Sequence, residues 1–174
     1  NTGICWKTTP NFWKFIIWSA KVFKTNSMSE HYLKKLPKIT TLVFDIDGVL
    51  TDGSITLMPD GEMIRTLNTK DGFAMKQAAN AGLRMIAITR GSSQIVKDSL
   101  LRLGFEDVSL DIIDKLDKYE EYCHIYDLQE DEVLYMGDDL PDLEVMREVG
   151  LPTCPKDAVK EVRDECLYIS PFEG

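Results

Sequence analysis

No two of the four cysteines, Cys5, Cys123, Cys154 and Cys166, stand at the spacing of a metal knuckle, and the set does not suggest a disulfide framework. A zinc-stapled or disulfide-stapled mini-domain is thereby excluded, and a reduced, cytoplasmic setting fits best. Basic charge is also scarce. The formal charge is −9, and four lysines with no acid in residues 1–27 leave −13 on residues 28–174, so neither nucleic acid nor an anionic membrane is expected as the main partner. Internal repeats and low-complexity linkers are missing, and 174 residues suit one domain with a full core. The aromatic-rich stretch NFWKFIIWSAKVF, residues 11–23, is too short for a membrane span, is broken by Lys14 and is followed by no small-residue cleavage site. An initial methionine is lacking too. Met28 opens the plausible start MSEHYLKKLPKIT, so residues 1–27 are expected to be a non-core extension, upstream or non-native, with a peripheral membrane or partner helix as the alternative.

What is present is an alternation of strand-like and helix-like segments from Ile39 onward. Thr41-Leu42-Val43-Phe44 shows no apolar-polar alternation, which predicts a strand buried on both faces of a parallel sheet. Residues 84–88, 107–110 and 133–136 read as further short strands. Helical patterns lie between them over 73–81, 94–103, 115–126 and 140–149, the last with Pro141 in its first turn and Gly150 as its stop. Alternating strands and helices predict a doubly wound parallel α/β sheet. Within the first crossover, residues 54–58 and 62–67 flank Pro59-Asp60-Gly61 and predict a projecting β-hairpin.

Open α/β sheets bind ligands at the carboxyl ends of their strands. There the sequence gathers Asp45 and Asp47, Thr89, Lys115, and Asp138, Asp139 and Asp142. Taken singly, each has a plain alternative: a turn former, a helix cap or a solvated lysine. Taken together they suit phosphoryl transfer, which needs an in-line nucleophile and cations against the phosphoryl oxygens. Asp45 is suited as the nucleophile and Asp47 as general acid and base. Crowded carboxylates need a cation to stay ionised together, and an all-oxygen ligand set favours Mg²⁺. Thr89 would bond a phosphoryl oxygen and Lys115 would offset negative charge.

With Asp45-x-Asp47-Gly48-Val49, Thr51-Asp52-Gly53, Thr89 after an apolar strand, Lys115, and Gly137-Asp138-Asp139-x-x-Asp142, the sequence resembles the haloacid dehalogenase superfamily of phosphotransferases over residues 39–174. The resemblance implies an aspartyl-phosphate mechanism with Mg²⁺ held by Asp45, the Asp47 carbonyl and Asp138, and gives Asp139 and Asp142 the task of orienting Lys115 and metal-bound water. One departure stands out: relatives usually carry Thr-Gly-Arg where this sequence has Thr89-Arg90-Gly91.

No inserted cap domain fits between these motifs. The capless pattern, the hairpin and Asn68-Thr69-Lys70-Asp71-Gly72-Phe73 resemble the branch of the family that works on phosphorylated sugar acids. That implies hydrolysis of 3-deoxy-D-manno-octulosonate 8-phosphate in lipopolysaccharide sugar synthesis, a homotetramer packed through its hairpins, and substrate contact by Asn68, Lys70, Asp71, Gly72 and Lys76. Without the resemblance, residues 68–72 read as a helix-capping loop. The alternatives are a nonulosonate 9-phosphate phosphatase and an oligomerisation domain like those fused to sialic-acid synthetases. Relatives continue past the strand at Tyr168-Ile169 into a terminal helix, so a C-terminal truncation at Gly174 is expected.

Overall fold

The computed structural model describes residues 29–174, with side chains from Tyr32 onward; the expectations for residues 1–27 fall outside the described residues. Helix α1 (Ser29–Lys35) and a 3₁₀ turn (Leu36–Lys38) lead into β1 (Thr41–Phe44). The hairpin strands β2 (Thr56–Leu57) and β3 (Met63–Ile64) and helix α2 (Thr69–Asn80) follow. Next come β4 (Arg84–Ile88), α3 (Gln94–Leu103), β5 (Asp107–Ser109), α4 (Lys115–Tyr126), β6 (Val133–Met136) and α5 (Leu143–Glu148). The described chain closes with β7 (Leu151–Cys154), α6 (Lys160–Glu165) and β8 (Tyr168–Ile169).

Six strands form one sheet in the order β5-β4-β1-β6-β7-β8, and every pairing is parallel. β1 lies at the centre, in register with β4 through Thr41 opposite Arg84 and with β6 through Thr41 opposite Val133. Its two flanks explain why Asp45 emerges in the middle of the carboxyl edge. Helices cover both faces, so successive residues of β4 serve different cores. Ile86 and Ile88 pack with Tyr119, Tyr122, Val145 and Met146 from α4 and α5; Met85 and Ala87 pack with Met75, Val96 and Leu100 from α2 and α3. This double burial is the reason the strands lack alternation.

The hairpin is shorter than the sequence suggests, with two residues paired in each strand around a Pro59-Asp60-Gly61 turn. Helix α2 starts at Thr69, four residues ahead of its apolar pattern, because the Asn68 side chain caps it by accepting from the Lys70 N–H at 2.9 Å. The segment 140–149 divides into a 3₁₀ turn (Leu140–Asp142) and α5. β7 and α6 were not anticipated: Pro152 inside β7 argues against a strand when read in sequence, and α6 is a six-residue helix with one buried side chain, Val162.

Candidate active site

β1 gives way at Asp45 to a tight loop in which the Ile46 carbonyl accepts from the N–H groups of Val49, Leu50 and Thr51. The buried Thr51 hydroxyl accepts in turn from Gly48 and Gly53, each at 3.3 Å. The loop passes so close to the end of β6 that a Cβ on Gly48 would lie 2.1 Å from Asp138 Oδ2, and Gly48 has φ +90. Only glycine satisfies both constraints, which accounts for its position after Asp47.

Asp45, Lys115 and Asp142 form a buried chain of charge. Lys115 Nζ lies 2.8 Å from Asp45 Oδ2 and 2.7 Å from Asp142 Oδ1, and its side chain is 2% exposed. Burial pulls the Lys115 ammonium down, but the charges and hydrogen bonds of Asp45 and Asp142 outweigh it and hold the group above the usual lysine range. Asp142 is saturated with donors: Lys115 and the Tyr135 hydroxyl (2.6 Å) reach Oδ1, and the N–H groups of Asp138 (3.1 Å) and Asp139 (3.3 Å) reach Oδ2. A carboxylate so engaged holds Lys115 in place and has little left to offer an ion.

Asp45 and Asp138 are different. Burial, only partly offset by Lys115, raises Asp45 to about 6. Burial, then the nearby charges of Asp45 and Asp142, raises Asp138 to about 7. Asp138 Oδ1 is buried with no hydrogen-bond partner. Carboxylate oxygens of Asp45, Asp138 and Asp142 lie within 4.8 Å of one another, an acidic triad that fits a divalent metal. With Asp142 taken up by its donors, Asp45 and the orphaned oxygen of Asp138 are what that triad has left for an ion.

Thr89, 2% exposed at the end of β4, accepts from the Gly91 N–H at 3.0 Å and keeps its hydroxyl proton free to donate. Asp139 is exposed and caps the 3₁₀ turn through the Leu140 N–H (2.8 Å), so in this chain it shapes the turn that carries Asp142 and makes no contact with Lys115. Lys70 and Asp71 are exposed on the first turn of α2, and Gly72 packs near Leu103. Lys76 is not brought to the carboxyl edge: its Nζ lies 3.4 Å from the Arg102 carbonyl in the last turn of α3, at the opposite edge of the sheet.

Two neighbours of the site escaped sequence reading. Tyr135 sits in an apolar strand, where its hydroxyl gives no sign of a partner. Arg65, just after β3, grips Asp47 with Nε to Oδ1 at 2.6 Å and a terminal nitrogen to Oδ2 at 2.9 Å. Its one signal was being the sole cation of residues 54–67. Arg90, the nearest arginine to Thr89 in sequence, is exposed.

Comparison with known proteins agrees with this fold. Residues 103–173 match the family described as haloacid dehalogenase-like hydrolase. A 3-deoxy-D-manno-octulosonate 8-phosphate phosphatase of Salmonella typhi is 31% identical over 147 residues, covering 84% of this chain and 78% of that one. The structure of the Yersinia pestis phosphatase of the same name superposes with a TM-score of 0.78 at 29% identity, covering 81% of this chain and 76% of that one. The Moraxella catarrhalis phosphatase, solved with magnesium, phosphate and the sugar acid, gives a TM-score of 0.78 at 27% identity and covers 81% of each chain.

Proposed function

This chain belongs to the haloacid dehalogenase-like hydrolases and is a phosphoric monoester hydrolase, and on that premise we propose that it is a Mg²⁺-dependent phosphatase of 3-deoxy-D-manno-octulosonate 8-phosphate, serving lipopolysaccharide sugar synthesis in the cytoplasm. The observation that carries the reading is the buried Asp45–Lys115–Asp142 chain facing the unpartnered oxygen of Asp138. A domain used only for assembly has no need of a buried ion-pair chain beside an unpartnered carboxylate oxygen, whereas catalytic sites gather such groups and shift their pKa values.

Asp45 attacks phosphorus as the bond to the sugar oxygen breaks, and Asp47 gives that oxygen its proton. Water then attacks the aspartyl phosphate, Asp47 takes the proton, and Asp45 is regenerated with inorganic phosphate. Lys115 stays beside Asp45 through both steps, fixed by Asp142, and Thr89 donates to a phosphoryl oxygen. When bound by Asp45, Asp138 and the Asp47 carbonyl, Mg²⁺ supplies positive charge against the phosphoryl oxygens. The chain works as a homotetramer packed through its hairpins, where the exposed Lys70 and Asp71 beside the Asn68 cap face substrate.

The experiment is phosphate release from a panel of sugar-acid 8- and 9-phosphates, with Mg²⁺ and after chelation. The expected result is highest kcat/KM on 3-deoxy-D-manno-octulosonate 8-phosphate and none without a divalent ion. A clear preference for a nonulosonate 9-phosphate moves the assignment to that substrate, and no hydrolysis of any ester overturns the reading.

A further inference from the structure

Arg65 stands outside the motifs that identify the site, yet its guanidinium is committed to one of the site's two leading carboxylates. Each oxygen of Asp47 receives one N–H, at 2.6 and 2.9 Å, in the paired fork geometry that arginine forms with carboxylates. These are the only hydrogen bonds the Asp47 carboxylate accepts among the described residues. The fork is itself held, since the other terminal nitrogen donates to the Met63 carbonyl at 2.9 Å and the side chain is 5% exposed.

The loop after β4 is shaped around the same pair. A Cβ on Gly91 would lie 3.3 Å from the Arg65 nitrogen that holds Asp47, 3.4 Å from Asp47 Oδ2 and 3.4 Å from Thr89 Oγ1. A methyl group at that point would be tight against the Arg65 nitrogen and in van der Waals contact with the other two. Arg65, Asp47, Thr89 and Gly91 also share one small cleft with Ser93.

We propose that Arg65 is the positioning residue for Asp47: from the hairpin it fixes the direction of the carboxyl group that hands a proton to the leaving oxygen and takes one from water. An ion pair that merely pinned the hairpin would have no reason to select this carboxylate or to leave it no other partner. The proposal rests on the phosphatase reading, in which Asp47 exchanges that proton. Proton transfer demands hydrogen-bond reach, and misplacement by about 1 Å costs on the order of a hundredfold in rate.

The test compares kcat/KM of wild type, Arg65→Ala, Arg65→Gln and Arg65→Lys on an alkyl ester (a sugar-acid phosphate) and on p-nitrophenyl phosphate. The nitrophenolate leaves without needing a proton, whereas the alkoxide needs one. Loss of positioning predicts a fall of roughly a hundredfold on the alkyl ester and less than about tenfold on the aryl ester. Arg65→Lys should recover little, because an ammonium cannot hold both oxygens. In an Asp47→Asn background, Arg65→Gln should cost nothing further.

Equal losses on the two esters, or full activity of Arg65→Lys, overturns the proposal while the phosphatase reading stands. Wild type inactive on every ester overturns that reading instead, and the proposal with it. Arg65→Gln keeps a side chain able to reach Met63, so the comparison survives if Arg65→Ala fails to fold.

Discussion

The chemistry concentrates in a few side chains whose ionisation is set by burial. Asp45→Asn keeps the shape but removes the nucleophile, so kcat should fall about a thousandfold or more while circular dichroism stays unchanged; hydrolysis above that level would mean that another group attacks phosphorus. Asp45 and Asp138 have pKa values raised to about 6 and about 7, chiefly by burial. A raised carboxyl pKa means that the metal-free fold favours the protonated form. Its contribution to stability is therefore full below the ordinary carboxyl range and is lost as pH rises through 6 and 7. The metal-free protein should accordingly melt at a lower temperature at pH 8 than at pH 5.5 as far as these groups decide it, and Mg²⁺ should raise the pH 8 value more. Protons compete with the ion in the same window, so Mg²⁺ affinity read by calorimetry should drop at least about tenfold from pH 8 to pH 5.5. An affinity flat across that range would remove these two carboxylates from the metal site.

Between residues and domain, the elements legible in the sequence were those with one strong local signal. β1 and β4 announced themselves as unbroken apolar runs, and α3 and α4 matched their expected bounds of 94–103 and 115–126. The same reading placed Asp45, Thr89, Lys115 and Asp138 at one edge, since a parallel sheet puts every strand's carboxyl end on one side. It failed where a tertiary partner overrides local preference. β7 keeps Pro152 because its carbonyl still accepts from the Leu167 N–H at 3.0 Å while pairing with β8 begins only at Thr153, and the Thr153 hydroxyl bonds the Tyr135 carbonyl at 2.9 Å. Residues 140–149 could not continue as one helix from Leu140, because Asp142 turns inward to collect four donors and the backbone tightens into a 3₁₀ turn around it. Arg65 was invisible because its partner lies 18 residues away across a loop. The turn is thus a device for holding Lys115. Asp142→Ala would leave a buried ammonium half-paired and two N–H groups and a tyrosine hydroxyl without an acceptor. Losing one partner of such a buried network costs about 3–5 kcal/mol, so denaturant melting should show a loss of that size, and Tyr135→Phe a smaller one of about 1 kcal/mol. A loss under 1 kcal/mol for Asp142→Ala would show that solvent, and not this carboxylate, satisfies Lys115.

At the scale of the whole molecule, the ribbon is a feature of the described surface that a lone copy does not explain. Ile55, Leu57, Met58, Met63 and Ile64 are all exposed, Leu57 to 76%, on a ribbon with only two paired residues in each strand. A two-stranded ribbon of that length is marginal by itself in water, and its apolar side chains gain most when a second copy covers them. Arg65 follows Ile64 directly, so whatever fixes the ribbon also fixes the fork on Asp47. Assembly and proton transfer are therefore expected to fail together. Leu57→Asp, which puts a charge at the most exposed apolar position of the ribbon, should convert the proposed tetramer to smaller species in light scattering. Alkyl-ester kcat/KM should fall with it, and more steeply than nitrophenyl-ester kcat/KM, because the loosened ribbon no longer aims Asp47. A Leu57→Asp protein that is dissociated yet fully active on the alkyl ester would show that each chain holds its own hairpin in place and that the exposed ribbon serves some purpose other than closing the site.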